Sequence, residues 1–223
     1  MSWDPGNTAN MIFNIYKPKD LSSFSIVKKV KHITKEKVGH SGTLDPFADG
    51  VLVLGVGKST KKLSNIIQFD KVYEGVIKLG EKTDSMDLTG NIVETKKVSK
   101  ITTKSLKECS DKFVGELLQR TPMYSARKIN GVRLYKLARK NIEIKTNPKL
   151  INIKSLNIQK INEKSLKIVV ECSSGTYVRV LAEDIAQYFG TVGHLISLTR
   201  LSVGDYSLDE SLTIEHFEEK WKS

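Results

Sequence analysis

The segment Gly39-His40-Ser41-Gly42-Thr43-Leu44-Asp45-Pro46 groups residue types that can do chemistry on a short stretch of chain. Pro46 biases Asp45 toward extended backbone and away from helix. Gly39 and Gly42 on one side and Gly50 on the other permit tight turning. A carboxylate presented there beside His40 and Thr43 suits an exposed nucleophile or base, and equally a turn-capping aspartate. Three other places bear on the choice. Lys71-Val72-Tyr73 opens a strand, where a tyrosine either packs half-buried or offers a platform to a base. In Gly175-Thr176-Tyr177-Val178-Arg179, extended backbone projects an aromatic ring and a guanidinium to one face. Tyr124-Ser125-Ala126-Arg127-Lys128 adds a basic-aromatic cluster suited to a phosphate backbone. An aromatic face with an arginine and one aspartate fits a flipped nucleobase, the ring stacking and the arginine holding the carboxylate ionised. The combination implies a nucleobase enzyme that uses no metal.

One motif misleads. Val51 to Thr60 reads VLVLGVGKST, like the end of a phosphate-binding loop, but that loop needs a glycine five residues before Gly57, and Leu52 stands there. Asp84 and Asp87 in the polar loop from Gly80 to Gly90 fit Asx-turns and salt links better than a chelated cation. His194 reads as a packing residue, His32 and His216 as surface residues of helices, and Cys109 and Cys172 as small buried hydrophobes.

The elements that must position these groups follow from pattern. Ile12 to Tyr16 make an apolar strand; Ser22 or Ser23 caps a helix carrying Ile26, Val27, Val30 and Ile33. Val51 to Val56 is an apolar strand, Ser59 to Phe69 a helix, and Lys71 to Leu79 a strand. Thr102 or Thr103 caps a helix to Phe113. Asn130-Gly131 marks a hairpin, with a helix from Leu134 to Arg139 after it. Strands run from Leu150 to Lys160 and from Ser165 to Cys172. Helices run from after Gly175 to Gly190 and from Thr213 onward. Strands and helices alternate without a strict βαβ rhythm, which predicts an α+β fold in a single domain. At 223 residues, one generous domain with a sizeable core fits. Lys and Arg number 36 against 25 Asp and Glu, a net charge of +11 that suits a polyanion partner. No apolar run reaches the roughly 18 residues of a bilayer span. Met1 to Asn10 read as a loose leader without a secretion signal. Two distant cysteines suit a reducing cytosol.

The run Lys37-Val38-Gly39-His40-Ser41-Gly42-Thr43-Leu44-Asp45-Pro46 resembles the signature of the tRNA pseudouridine synthase B (TruB) family. Lys17-Pro18 with Ser22-Ser23 is similar to its opening motif. Lys71-Val72-Tyr73, Leu79-Gly80 and Thr83 to Gly90 match the next block; Tyr124-Ser125-Ala126 and Gly131 match the one after. Cys172 to Arg179, Gly193-His194 and Leu198-Thr199-Arg200-Leu201 match the last. The blocks occur in order from Met11 to Tyr206. Asp20 replaces the family's glycine, Thr121-Pro122 stands where two prolines are usual, and Asp49 stands where threonine is common.

The resemblance implies a pseudouridine-synthase fold, a mixed and mostly antiparallel sheet flanked by helices and loops, over residues 11–206. A short helical tail over 207–223 would take the place of the small RNA-binding PUA domain of typical members. It implies catalysis by Asp45, with Tyr73 stacking on the base and moving a proton, and Arg179 paired with Asp45. Substrate contacts would come from His40, Tyr177 and Leu198, with Lys17 in the opening motif. Lys58 and Lys61, beyond the catalytic segment, suit phosphate contacts. The implied reaction turns a flipped uridine of the tRNA T loop, at tRNA position 55, into pseudouridine. No metal or cofactor is called for, and a cytoplasmic monomer needing no protein partner is expected. The catalytic domain of an RNA-guided synthase and a non-catalytic tRNA-binding or folding protein are the alternatives. The Thr83 to Gly90 block resembles the standalone branch and weighs against the first.

Overall fold

The computed structural model describes residues 11–125, 127–129, 131–138, 140, 142, 144 and 146–223. The leader 1–10, Ala126, Asn130 and the side chain of Lys128 lie outside the described residues. In chain order the elements are β1 (Ile12–Lys17), α1 (Ser23–Thr34), β2 (Val38–His40), β3 (Asp49–Val56), a 3-10 turn (Gly57–Lys62), α2 (Leu63–Ile66) and β4 (Lys71–Leu79). Then come β5 (Glu81–Thr83), β6 (Ile92–Thr95), α3 (Thr103–Phe113), β7 (Gly115–Gln119), β8 (Lys128–Ile129), β9 (Val132–Arg133) and α4 (Leu134–Ala138). The chain ends with β10 (Lys149–Asn162), β11 (Ser165–Cys172), α5 (Val178–Tyr188), β12 (Gly193–Val203), β13 (Tyr206–Ser207) and α6 (Ile214–Lys222). No described helix is long and apolar enough to cross a membrane.

Two units are distinguished, one formed by the chain up to Val72 with Leu198–Ser223, the other by Tyr73–Ser197. In the first, β3 pairs antiparallel with β1 and β2 and parallel with β12, through Thr199↔Asp49 and Arg200↔Gly50. Because β3 is covered on both faces, its sequence is continuously apolar rather than alternating. Leu52, Leu54 and Val56 meet Ile26, Val27 and Val30 of α1 and Phe217 of α6. Val51 and Val53 point the other way, onto Leu63, Ile66 and Val203. Ser22 caps α1, its Oγ accepting the Ser25 N–H at 3.0 Å. The expected tail is built into this unit. Thr213 caps α6, and Phe217 and Trp221 meet the Phe13 ring edge-on at 4.9 and 6.2 Å. The helix expected over Ser59 to Phe69 is a 3-10 turn and a single short α-helix instead. The buried Lys71 ammonium ends it by donating to the carbonyls of Ile67, at 2.7 Å, and Phe69.

In the second unit, β10 pairs antiparallel with β11 and with β7. Leu166, Ile168, Val170 and Cys172 of β11 are fully buried, the alternation of a half-covered strand. Thr102 and Ser105 form a reciprocal capping box for α3, which lies on β10. Cys109 of that helix is buried, and desolvation pushes its thiol up to about 12. The polar loop from Gly80 to Gly90 starts in β5 and returns onto β6 just beyond it, a hairpin the loop's composition did not announce. The hairpin expected at Asn130-Gly131 is the β8–β9 pair, with Ile129 opposite Val132.

Candidate active site

In the first unit the Asp45 loop is fastened at almost every peptide. Ser41 N–H donates to Val53 O at 3.0 Å, holding the start of the loop on β3. Arg200, 1% exposed, donates from Nε to Val51 O at 2.7 Å and from Nη2 to Gly42 O at 3.2 Å. Leu44 N–H donates to Ser23 Oγ at 2.8 Å, and the same hydroxyl donates to Leu44 O at 3.0 Å. Pro46 O accepts from Asp20 N–H at 2.8 Å and from Lys17 Nζ at 3.3 Å. Ala48 N–H closes a turn onto Asp45 O at 3.1 Å. Leu44, Phe47 and Ala48 are buried while Asp45 is half-buried, so apolar side chains anchor a loop that presents one carboxylate. His40 ends β2, and its Nδ1 accepts the Gly42 N–H at 3.2 Å.

Lys17 differs from its expected role of substrate contact. It is 0% exposed, and its ammonium also donates to Pro18 O at 2.8 Å and Leu21 O at 2.7 Å. Three carbonyls use its three N–H groups, so it ties the opening motif to the Asp45 loop from inside the core. Desolvation pulls its pKa down to about 8, opposed first by Asp49 and then by Asp45. Lys58 and Lys61 stay exposed on the 3-10 turn, while Leu198 on β12 is buried.

The departures from the family pattern have local partners. Asp20 adopts φ 64°, the left-handed conformation for which the family's glycine is suited. Asp49 accepts the Thr199 hydroxyl at 2.6 Å and the Tyr16 phenol at 3.2 Å. Burial, and secondarily Asp49, raise the Tyr16 pKa. Thr121 Oγ1 accepts Arg127 Nη1 at 2.6 Å.

The second unit carries Tyr73, Tyr177 and Arg179. Tyr73 is a buried residue of β4. Tyr177 stands at the N-cap of α5 with no side-chain cap of its own. Gln119, at the end of β7 and 5% exposed, supplies one: Oε1 accepts Tyr177 N–H at 2.7 Å and Nε2 donates to Tyr177 O at 3.1 Å. Arg179, 4% exposed, donates to Ser85 O at 2.7 Å and Tyr124 O at 2.6 Å. Its Nη1 also lies 3.5 Å from Asp87 Oδ2. Asp87 Oδ1 in turn accepts Ser85 Oγ at 2.8 Å and both the N–H and the hydroxyl of Thr89, at 3.0 and 2.5 Å. Asp84 Oδ1 accepts Asn91 N–H at 3.0 Å. These loop carboxylates are therefore engaged in turn and ion-pair bonding. One helical turn after Arg179, the buried Glu183 pairs with Lys82 at 2.6 Å and with Arg120. Burial raises the neighbouring Asp184 to about 6, against the pull of Arg120. His194 is buried, with Nδ1 2.8 Å from Glu81 O, the packing role read for it.

The candidate reactive side chains stand in recognisable motifs; the residues that hold them do not stand out as supports. In sequence Ser23 reads as a helix cap and a motif letter, Arg200 as a motif letter alone, and Gln119 carries no signal. The dipeptide Ser22-Ser23 was the one visible signal, since a helix needs a single N-cap and leaves the second hydroxyl to another task.

A family model described as TruB family pseudouridylate synthase (N terminal domain) matches residues 28–178. The tRNA pseudouridine synthase B of Clostridium tetani is 40% identical over 212 residues, covering 95% of this chain and 73% of that protein. Those of Psychrobacter arcticus and Clostridium acetobutylicum are 41% and 42% identical, the chain spanning 55% and 72% of their lengths and the alignments covering 91% and 94% of this chain. Among solved structures, a chain of a Cbf5-Nop10-Gar1 complex aligns with a TM-score of 0.72 at 24% identity, over 93% of this chain and 53% of that one. That likeness is one of fold.

Proposed function

Because the chain belongs to the TruB family of pseudouridylate synthases, we propose that it isomerises a uridine of the tRNA T loop to pseudouridine, with Asp45 as the catalytic carboxylate. The observation that carries this reading is the Asp45 loop. Its backbone is fixed by Ser23, Lys17, Asp20, Arg200 and Val53, while its carboxylate is left half-buried. A carboxylate held this firmly loses little entropy in meeting a reacting atom.

The reaction breaks the N1–C1′ bond, turns the uracil over, joins C5 to C1′ and releases the C5 proton as N1 gains one. A base within a folded loop is extruded first, at a cost of a few kcal/mol recovered by stacking and pocket contacts. Asp45 acts ionised, attacking C1′ or abstracting the C2′ proton. Arg179 is the proposed counter-charge, offsetting the desolvation that disfavours a buried carboxylate. Tyr73 stacks on the base and accepts the C5 proton. Tyr177 and Leu198 line the pocket, and His40 helps the uridine out of its loop. Lys58 and Lys61 meet T-arm phosphates. The protein acts as a cytoplasmic monomer and needs no protein partner. The relatives at 40–42% identity carry the tRNA enzyme's name, while the chain of the Cbf5-Nop10-Gar1 complex stands at 24%. That contrast supports the standalone reading over the RNA-guided one.

Carbodiimide labelling followed by mass spectrometry of a tRNA treated with the protein tests it. One new adduct in the T loop is expected, and none with Asp45→Asn. Adducts elsewhere only, or none with a folded wild-type protein, would overturn the reading.

A further inference from the structure

Two adjacent serines begin α1 and do different work. Ser22 is the cap, its Oγ accepting Ser25 N–H. Ser23, 2% exposed, turns its hydroxyl away from the helix. It accepts Leu44 N–H and donates to Leu44 O, bridging both polar groups of one peptide residue 21 positions away. Leu44 O belongs to the peptide group that supplies the backbone nitrogen of Asp45. A bond at that oxygen fixes the plane of the Leu44–Asp45 peptide, and with it the direction in which the Asp45 Cα–Cβ bond leaves the chain. The other fastenings described act on Ser41, Gly42 and Pro46 and, through Ala48 N–H, on Asp45 O in the following peptide; the Ser23 bond is the one at the carbonyl of the Leu44–Asp45 peptide.

We propose that Ser23 is a positioning residue for Asp45, setting the attitude of the catalytic carboxylate through the peptide that precedes it. The inference rests on Asp45 being the catalytic group. A hydroxyl suits the task because one small group both accepts and donates. The N–H and C=O it meets are buried and costly to leave unpaired. Without it the Leu44–Asp45 peptide gains freedom to tilt, and Asp45 meets the reacting sugar out of alignment. Misplacement on the scale of an ångström costs on the order of a hundredfold in rate. The substrate's binding surface is untouched, so the loss falls on kcat and not on KM.

The test measures kcat and KM for pseudouridine formation in one tRNA, with denaturant midpoints, for wild type, Ser22→Ala, Ser23→Ala, Ser23→Cys and Asp45→Asn. Ser22→Ala removes the helix cap and serves as the stability control. Ser23→Ala leaves a small void and Ser23→Cys fills it, so one folded variant of the two suffices. The expected result is a 10- to 100-fold fall in kcat with KM within twofold for the Ser23 variants, and kcat within twofold of wild type for Ser22→Ala. A folded Ser23 variant keeping half of wild-type kcat, or losing no more than Ser22→Ala, overturns the inference. If Asp45→Asn is then inactive, the functional reading stands without it. Full turnover by Asp45→Asn overturns both.

Discussion

Replacing Gln119 by leucine removes the clamp on the start of α5, and its cost can be worked from the contacts. Two part-buried hydrogen bonds, at 2.7 and 3.1 Å, are lost. Tyr177 O keeps the N–H groups of Val180 and Leu181, both at 3.1 Å, so its loss is minor. Tyr177 N–H is left unpaired, an expense of about 1–3 kcal/mol, on top of about 1 kcal/mol for the bond to the carbonyl. The expected destabilisation is about 2–4 kcal/mol, or a fall of roughly 5–15 °C in the unfolding midpoint for a chain of this size. Gln119→Glu keeps an acceptor for Tyr177 N–H but has no donor for the carbonyl when ionised, so it should fall between. Paired urea titrations measure both, alongside tRNA turnover, which should fall because Tyr177 and Arg179 lie in the first turn of the freed helix. A leucine variant within about 0.5 kcal/mol of wild type, with full turnover, would refute the clamp.

Other outcomes follow from the same geometry. A Cβ on Gly50 would lie 2.3 Å from Arg200 O at φ 110°, whereas one on Gly115, at φ 105°, meets nothing within 4 Å. Gly115→Ala should cost about 1–2 kcal/mol of backbone strain, and Gly50→Ala several more through overpacking at the β3–β12 pair; equal costs in denaturant titrations would contradict the packing. Lys17 is lowered in the folded chain from 10.5 to about 8, so between those values the unfolded chain binds more protons. Its contribution to stability therefore rises with pH across that window. The wild-type midpoint measured against Lys17→Met should climb from pH 8 to 10.5, and a decline would show the sign to be wrong. Lys58→Gln with Lys61→Gln should weaken T-arm binding at low salt and flatten the slope of log K against log salt by about 1–2, measured by titration at several ionic strengths. An unchanged slope would remove these lysines from the phosphate contacts.

Much of the scaffold was readable because it depends on local pattern. The strand from Lys71 to Leu79 falls where it was expected, and Thr102, one of the two caps offered, and Thr213 cap the helices expected there. The cut-off of α2 was not readable, since it is made by the Lys71 ammonium reaching back to Ile67 and Phe69. The β5–β6 hairpin, Glu-Lys-Thr against Ile-Val-Glu-Thr, lacks the apolar alternation that announces a strand. The helix from Thr213 was expected, but Phe13, the partner of its Phe217 and Trp221, lies some 200 residues away in sequence. The site divides in the same way. The residues proposed to react stand in short contiguous runs, which are visible in sequence. Their supports pair Ser23 with Leu44, Gln119 with Tyr177 and Arg200 with Val51, over separations of 21, 58 and 149 residues. Lys17 departs from its expected role for that reason: a lysine in the opening motif reads as a substrate contact until three carbonyls are seen around it.

In the proposed reaction Asp45 breaks a glycosidic bond so that C5 of a uridine can take the place of N1. Release of tritium to water from a tRNA labelled at C5 of its uridines reports that exchange directly. The wild-type protein should release label equivalent to one uridine per tRNA, and Asp45→Asn, folded and still binding that tRNA, should release none. Equal release by both proteins would contradict the claim.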